Sequence, residues 1–136
     1  MGADSSNSKP MFERTERWAT PLSADAALRA LSNRFIEAGA RVTEIGDGLE
    51  IRQGSNWRYR LWGNLFKKGR RSVPVALTLR LFSTKSGTYI EAHAFDTFGF
   101  RLAEHAFFGA QETFDDALEN MLAMASAAAD VTTRSR

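Results

Sequence analysis

Residues 73–83 constrain this chain more than any other stretch. Val73, Val75, Leu77, Leu79 and Leu81 stand at every second position, separated by residues of mixed polarity. Period two is the repeat of an extended strand, whose successive side chains point to opposite sides. A helix, with its 3.6-residue turn, cannot gather these five residues on one face. A sheet with one strongly apolar face is therefore expected, and that face must be covered.

The flanking sequence supplies the rest of the sheet. Lys85-Ser86-Gly87 turns the chain into a second strand over 88–97. Two further runs, 42–45 and 49–52, flank Gly46-Asp47-Gly48, and an Asp-Gly pair between apolar runs signals a hairpin. Residues 56–63 alternate as well, with Trp57, Tyr59 and Leu61 opposite Arg58, Arg60 and Trp62. A weaker alternation suggests a short strand over 12–18. Residues 98–111 fit one more strand or a packed loop.

Two helices complete the pattern. Residues 23–38 place Ala24, Ala27, Leu28, Leu31 and Phe35 at helical spacing. Ser23 is the natural N-cap, and Gly39 sits where a left-handed C-terminal residue is wanted. A final helix, capped at Thr113, carries Phe114, Leu118, Met121, Leu122, Ala125 and Ala128 on one stripe. Asp115 and Asp116 suit its positive N-terminal end. The expected architecture is α+β: an antiparallel meander of five to six strands, with an N-terminal and a C-terminal helix packed on one face. The domain spans residues 11–130, preceded by a disordered arm over 1–10 and followed by a frayed tail over 131–136.

Composition narrows the chemistry. A chain of 136 residues is one domain's worth of sequence. It contains no cysteine, which excludes disulfide scaffolds, thiolate metal sites and cysteine nucleophiles. Two histidines are too few for a histidine-rich metal centre. No apolar run approaches a membrane span, and the polar first ten residues lack the apolar segment of a signal peptide. A cytoplasmic protein with neither metal nor cofactor is expected.

Charge is segregated along the chain. Residues 1–51 hold six basic and eight acidic groups, for −2; residues 52–90 hold nine basic groups and no acid, for +9; residues 91–136 hold three and eight, for −5. Lys67-Lys68-Gly69-Arg70-Arg71 is the sharpest cluster. Its glycine spacing does not match a phosphate loop: five residues separate Gly63 and Gly69, and Arg70 stands where lysine is required. A mobile hairpin loop kept soluble by charge is the favoured reading of this cluster.

Period-two counting places Glu50, Arg52, Arg58, Arg60, Trp62, Thr78, Arg80, Phe82, Tyr89, Glu91, His93 and Phe95 on the face away from the helices. Arginine interleaved with aromatic residues can bind phosphates and stack on bases, or contact an acidic protein. The same face can instead be simply solvated, with Glu50 and Glu91 pairing to arginines. Glu91 and His93, two apart on a strand, are the acid/base candidates for catalysis. No Gly-x-Ser-x-Gly elbow and no carboxylate cluster with metal spacing occurs. His105 reads as a surface or packing residue, and Met121 and Met124 as fillers of core gaps.

In element order, residues 12–130 resemble the helix-grip (START-like) arrangement, in which a C-terminal helix covers a curved sheet around an apolar cavity. The resemblance implies a carrier of an apolar small molecule, with Trp57, Tyr59, Leu77, Leu79, Leu118 and Met121 lining the cavity. The residues themselves point first to a non-catalytic binding or interaction domain. Its contact residues are Arg58, Arg60, Trp62, Lys67, Lys68, Arg70, Arg71, Arg80 and Phe82. Its partner is an acidic protein surface or a second copy of the chain, with RNA or single-stranded DNA as a further alternative.

Overall fold

A computed structural model of the chain describes residues 12–52, 75–97 and 110–135. The elements run β1 (Glu13–Thr20), α1 (Ala24–Glu37), β2 (Arg41–Ile45), β3 (Gly48–Arg52), β4 (Val75–Thr84), β5 (Gly87–Asp96), α2 (Ala110–Ala128) and β6 (Thr133–Ser135). The strands form one six-stranded sheet in the order β2-β3-β4-β5-β1-β6. Every neighbouring pair is antiparallel. Strands β2 to β5 form the meander, and β1 flanks it beyond β5.

The ladder shows why alternation is so informative. Leu49, Leu79 and Ala92 stand side by side on neighbouring strands, and so do Ile51, Leu77 and Ala94. All six are fully buried. Both helices add to this one face. Ala27, Leu31 and Phe35 of α1 and Phe114, Leu118, Met121, Leu122 and Ala125 of α2 belong to the same core cluster as these strand residues. Burying each large aliphatic side chain contributes roughly 1.5–3 kcal/mol before entropy is set against it.

Local signals fix the helix ends. Ser23 accepts a hydrogen bond from the Ala26 amide at 3.2 Å, supporting the first turn of α1. At the other end Gly39 has φ 91°, and the Ala40 amide donates back to the Phe35 carbonyl at 3.0 Å. That geometry satisfies a terminal carbonyl and turns the chain directly into β2.

Several expectations change. The β2–β3 hairpin turns at Gly46-Asp47, with Ile45 opposite Gly48, so Gly48 belongs to the strand and not to the turn. A Cβ at Gly48 would lie 1.7 Å from the Leu79 carbonyl oxygen, so close approach of β4 is what requires glycine there. The expected strand over 56–63 lies outside the described residues. Among the described residues strand β3 pairs with β4, Arg52 facing Ala76. Helix α2 starts at Ala110, three residues before the expected cap at Thr113. Strand β1 extends to Thr20, and residues 133–135, expected to fray, pair with β1 as β6. The arm over 1–10 and residues 98–109 lie outside the described residues.

One feature of the topology positions the candidate site. Arg52 faces Ala76, Val75 faces Asp96, and Phe95 faces Glu13. Segments 1–11, 53–74 and 98–109 therefore all join the sheet at the same end. The opposite end carries the tight turns at 46–47 and 85–86.

Candidate binding surface

The face turned away from the helices carries Glu50, Arg52, Thr78, Arg80, Phe82, Tyr89, Glu91, His93 and Phe95, at the positions period two assigns. Strand β1 adds Glu13, Thr15 and Arg17. Among the described residues neither helix contributes to this face, because the buried positions of both sit in the core cluster on the other side. Arg80 and Arg52 have side chains 54% and 49% exposed. Phe82, Tyr89 and Phe95 are half-buried by their neighbours.

The face is electrostatically mixed. Arg80 meets Asp47 at 3.3 Å, and Arg52 meets Glu50 at 3.1 Å on its own strand. Glu91 stands in register between Arg80 and Arg17. His93 contacts Glu13 through Nε2 at 2.7 Å and stacks on Phe95 with centroids 4.8 Å apart. Exposed pairs of this kind each contribute at most about 1 kcal/mol. The Arg80 guanidinium lies 5.4 Å from the centroid of the Phe82 ring, and Phe82 lies 6.1 Å from Tyr89. An arginine held over an aromatic ring is pre-ordered for a carboxylate, because less side-chain freedom is lost on contact.

Of the expected contact residues, Arg80 and Phe82 stand together on this face. Arg58, Arg60, Trp62, Lys67, Lys68, Arg70 and Arg71 lie outside the described residues. Those seven fall between Arg52 and Val75, the described residues that end β3 and begin β4.

A second polar cluster gave no local signal in the sequence. Glu16 points to the helix side of β1, with a side chain only 3% exposed. It accepts from Trp18 Nε1 at 2.8 Å and from two nitrogens of Arg134 at 2.8 and 2.9 Å. Arg134 also reaches Glu119 of α2 at 3.4 Å and lies 6.0 Å from the Trp18 ring centroid. Arg14 pairs with Glu119 from the neighbouring position. The hydrogen bond to Glu16 holds the Arg134 guanidinium above its ordinary, already strongly basic value, and the Glu16 and Glu119 charges add to this against the opposing effect of burial. These groups line an open recess of about 580 Å³ together with Asp115, Asp116 and Ser135. Arginine in a polar tail and glutamate on a strand are individually ordinary; only their meeting 118 residues apart makes a site.

The other expectations are placed as follows. Glu91 and His93 share one face, but the hydrogen-bond partner of His93 is Glu13 on the neighbouring strand. Asp96 points to the opposite, buried face, where one carboxylate oxygen accepts from the Phe12 amide at 2.6 Å. Among the described residues no group of three or more acidic or histidine side chains is placed to hold a metal ion. Leu77, Leu79, Leu118 and Met121, which a helix-grip cavity would use, lie fully buried in the continuous core, while Trp57 and Tyr59 lie outside the described residues. Met124 packs against the core rim. Among the described residues no helix is long and apolar enough to cross a membrane. A scan against protein-family models finds no match, and a search of curated proteins finds none.

Proposed function

We propose that the chain is a non-catalytic binding domain that contacts an acidic protein surface through the arginine- and aromatic-bearing face of its sheet. The observation that carries this is the exposed Arg80 over Phe82, on a face that neither helix covers among the described residues. Arg80 and Arg52 supply charge-assisted hydrogen bonds, and Phe82 with Tyr89 supplies apolar contact area. Arg58, Arg60, Trp62 and the cations Lys67, Lys68, Arg70 and Arg71 extend the contact from the Arg52 end.

The test is fluorescence anisotropy with a labelled, glutamate-rich 20-residue peptide against the full chain. Affinity falls as salt rises, and Phe82→Ala, which leaves the charge unchanged, weakens binding about tenfold, or about 1.4 kcal/mol. Binding that ignores Phe82 would reduce the contact to bulk attraction by the basic segment and sink the proposal. A mixed-sequence oligonucleotide bound more tightly than the peptide would assign the face to nucleic acid. Light scattering that shows dimers broken by Arg80→Ala would assign it to self-association.

A further inference from the structure

Gly48, Arg80, Glu91, Arg17 and Ser135 stand in one row across the outer face of the sheet. Charge alternates along its centre, with Glu91 on β5 between Arg80 on β4 and Arg17 on β1. Opposite charges that face each other on neighbouring strands ordinarily pair. Here they do not. Arg80 turns to Asp47 and lies over the Phe82 ring, and among the described residues Arg17 and Glu91 form no ion pair. Both arginines are exposed and Glu91 is half-buried. The row ends in a glycine and a serine, and no helix covers this side among the described residues, so its charges are open to contact.

Glu91 makes a uniformly acidic surface a poor fit. Carboxylates laid across the row would satisfy Arg80 and Arg17, yet they would press like charge onto Glu91 while stripping water from it. A cation set between two carboxylates removes both costs. Spacing then says what shape carries the three groups. Neighbouring strands lie about 4.8 Å apart, so the Arg80 and Arg17 positions are about 10 Å apart with Glu91 midway. On a helix, residues i and i+7 are also about 10 Å apart on one side, and i+4 lies between them. Same-side residues of an extended strand recur every 7 Å or so, and three of them span about 13 Å.

Resting on the sheet-face reading above, we propose that the partner's contact element is a helix laid across β4, β5 and β1, with acidic residues at i and i+7 and a lysine or arginine at i+4. The acidic residues meet Arg80 and Arg17, and the basic one meets Glu91. Phe82 and Tyr89, in the next row, take the apolar residues beside them. The two arginines attract, and Glu91 selects, because it penalises any acidic surface that lacks the cation.

The probes are three labelled, alanine-based peptides of 20 residues. One has glutamate at i and i+7 and lysine at i+4. The second has the same composition with the lysine moved to i+2, on the opposite side of the helix. The third has glutamate in place of the lysine. Fluorescence anisotropy follows their binding to the full chain and to its Glu91→Gln variant, which removes one charge from the outer face and leaves the core untouched. The first peptide is expected to bind the unaltered chain at least fivefold more tightly than the second. Glu91→Gln should erase that advantage and tighten the all-glutamate peptide at least threefold. Equal binding of the first two peptides by the unaltered chain, or an advantage that survives Glu91→Gln, overturns the inference. In either case, binding of the all-glutamate peptide that depends on Phe82 leaves the sheet-face reading standing, whereas no binding by any of the three sinks both. Light scattering that shows a dimer dissolved by Glu91→Gln would make the occupant a second copy and overturn the assignment to a helix of another protein.

Discussion

The two faces of the sheet are built from the same strands, yet they follow different rules. On β4, Leu77, Leu79 and Leu81 are buried while Thr78, Arg80 and Phe82, their immediate neighbours, reach solvent to differing degrees. The helix-side face is apolar at its centre and covered by two helices. The outer face is a mosaic of half-buried rings and exposed ion pairs. Stability is concentrated on one side, which leaves the other free to carry charged and polar groups. The expected contrast is steep, and chemical denaturation across one strand measures it.

Leu79→Ala should cost about 3–5 kcal/mol, since it removes a fully buried side chain and leaves a cavity between α1, α2 and the sheet. A loss below about 1 kcal/mol would mean that the core repacks freely and that the two faces differ less than their burial implies. Gly48→Ala tests the contrast from the other side, because Gly48 lies in register with Arg80 on the outer face. Its added Cβ would meet β4 backbone at the Leu79 carbonyl, so a cost of about 2–3 kcal/mol is expected where an outer-face change is usually harmless. Arg134→Ala should cost about 2 kcal/mol, from the lost fork onto Glu16. Arg80→Ala should cost less than about 1 kcal/mol, because its pair with Asp47 is half exposed on both sides.

The smallest effect is one of pH. The folded-state value of Arg134 is raised, so its contribution is fully present below the unfolded value and is lost only as pH rises through the strongly basic range. The stability difference between the unaltered chain and Arg134→Ala should therefore stay constant from pH 7 to pH 10. Thermal melts of both proteins at those two values check it, and a difference that shrinks by pH 10 would assign the hold of β6 to some other group.

What could be read from sequence follows the range of the interaction concerned. The alternation of Val75 to Leu81, the cap at Ser23 and the left-handed Gly39 are local, and each stands where it was expected. The outer-face positions from Glu50 to Phe95 follow from the same local period. The turn slipped by one residue because Asp47-Gly48 resembles a hairpin dipeptide, whereas Gly48 answers to Leu79, a residue 31 positions away. Strand β1 alternates weakly because Arg14 and Glu16 occupy the helix-side positions of an otherwise apolar row, and their partners Glu119 and Arg134 come from the last quarter of the chain. Strand β6 is entirely polar, so no hydrophobic period marks it. Of the candidate surface, Arg80 and Phe82 were legible from period alone, while the Glu16–Arg134 fork is a product of tertiary pairing.

The gathering of every long connection at one pole also gives the experimenter a handle. The opposite pole ends in the two-residue turn Lys85-Ser86, solvent-facing and remote from the end that bears Arg52 and Val75. A tether or fluorophore attached there would hold the molecule by its quiet end. Immobilised in that orientation, the protein would turn the end of the sheet that bears Arg52 and Val75 toward whatever flows past.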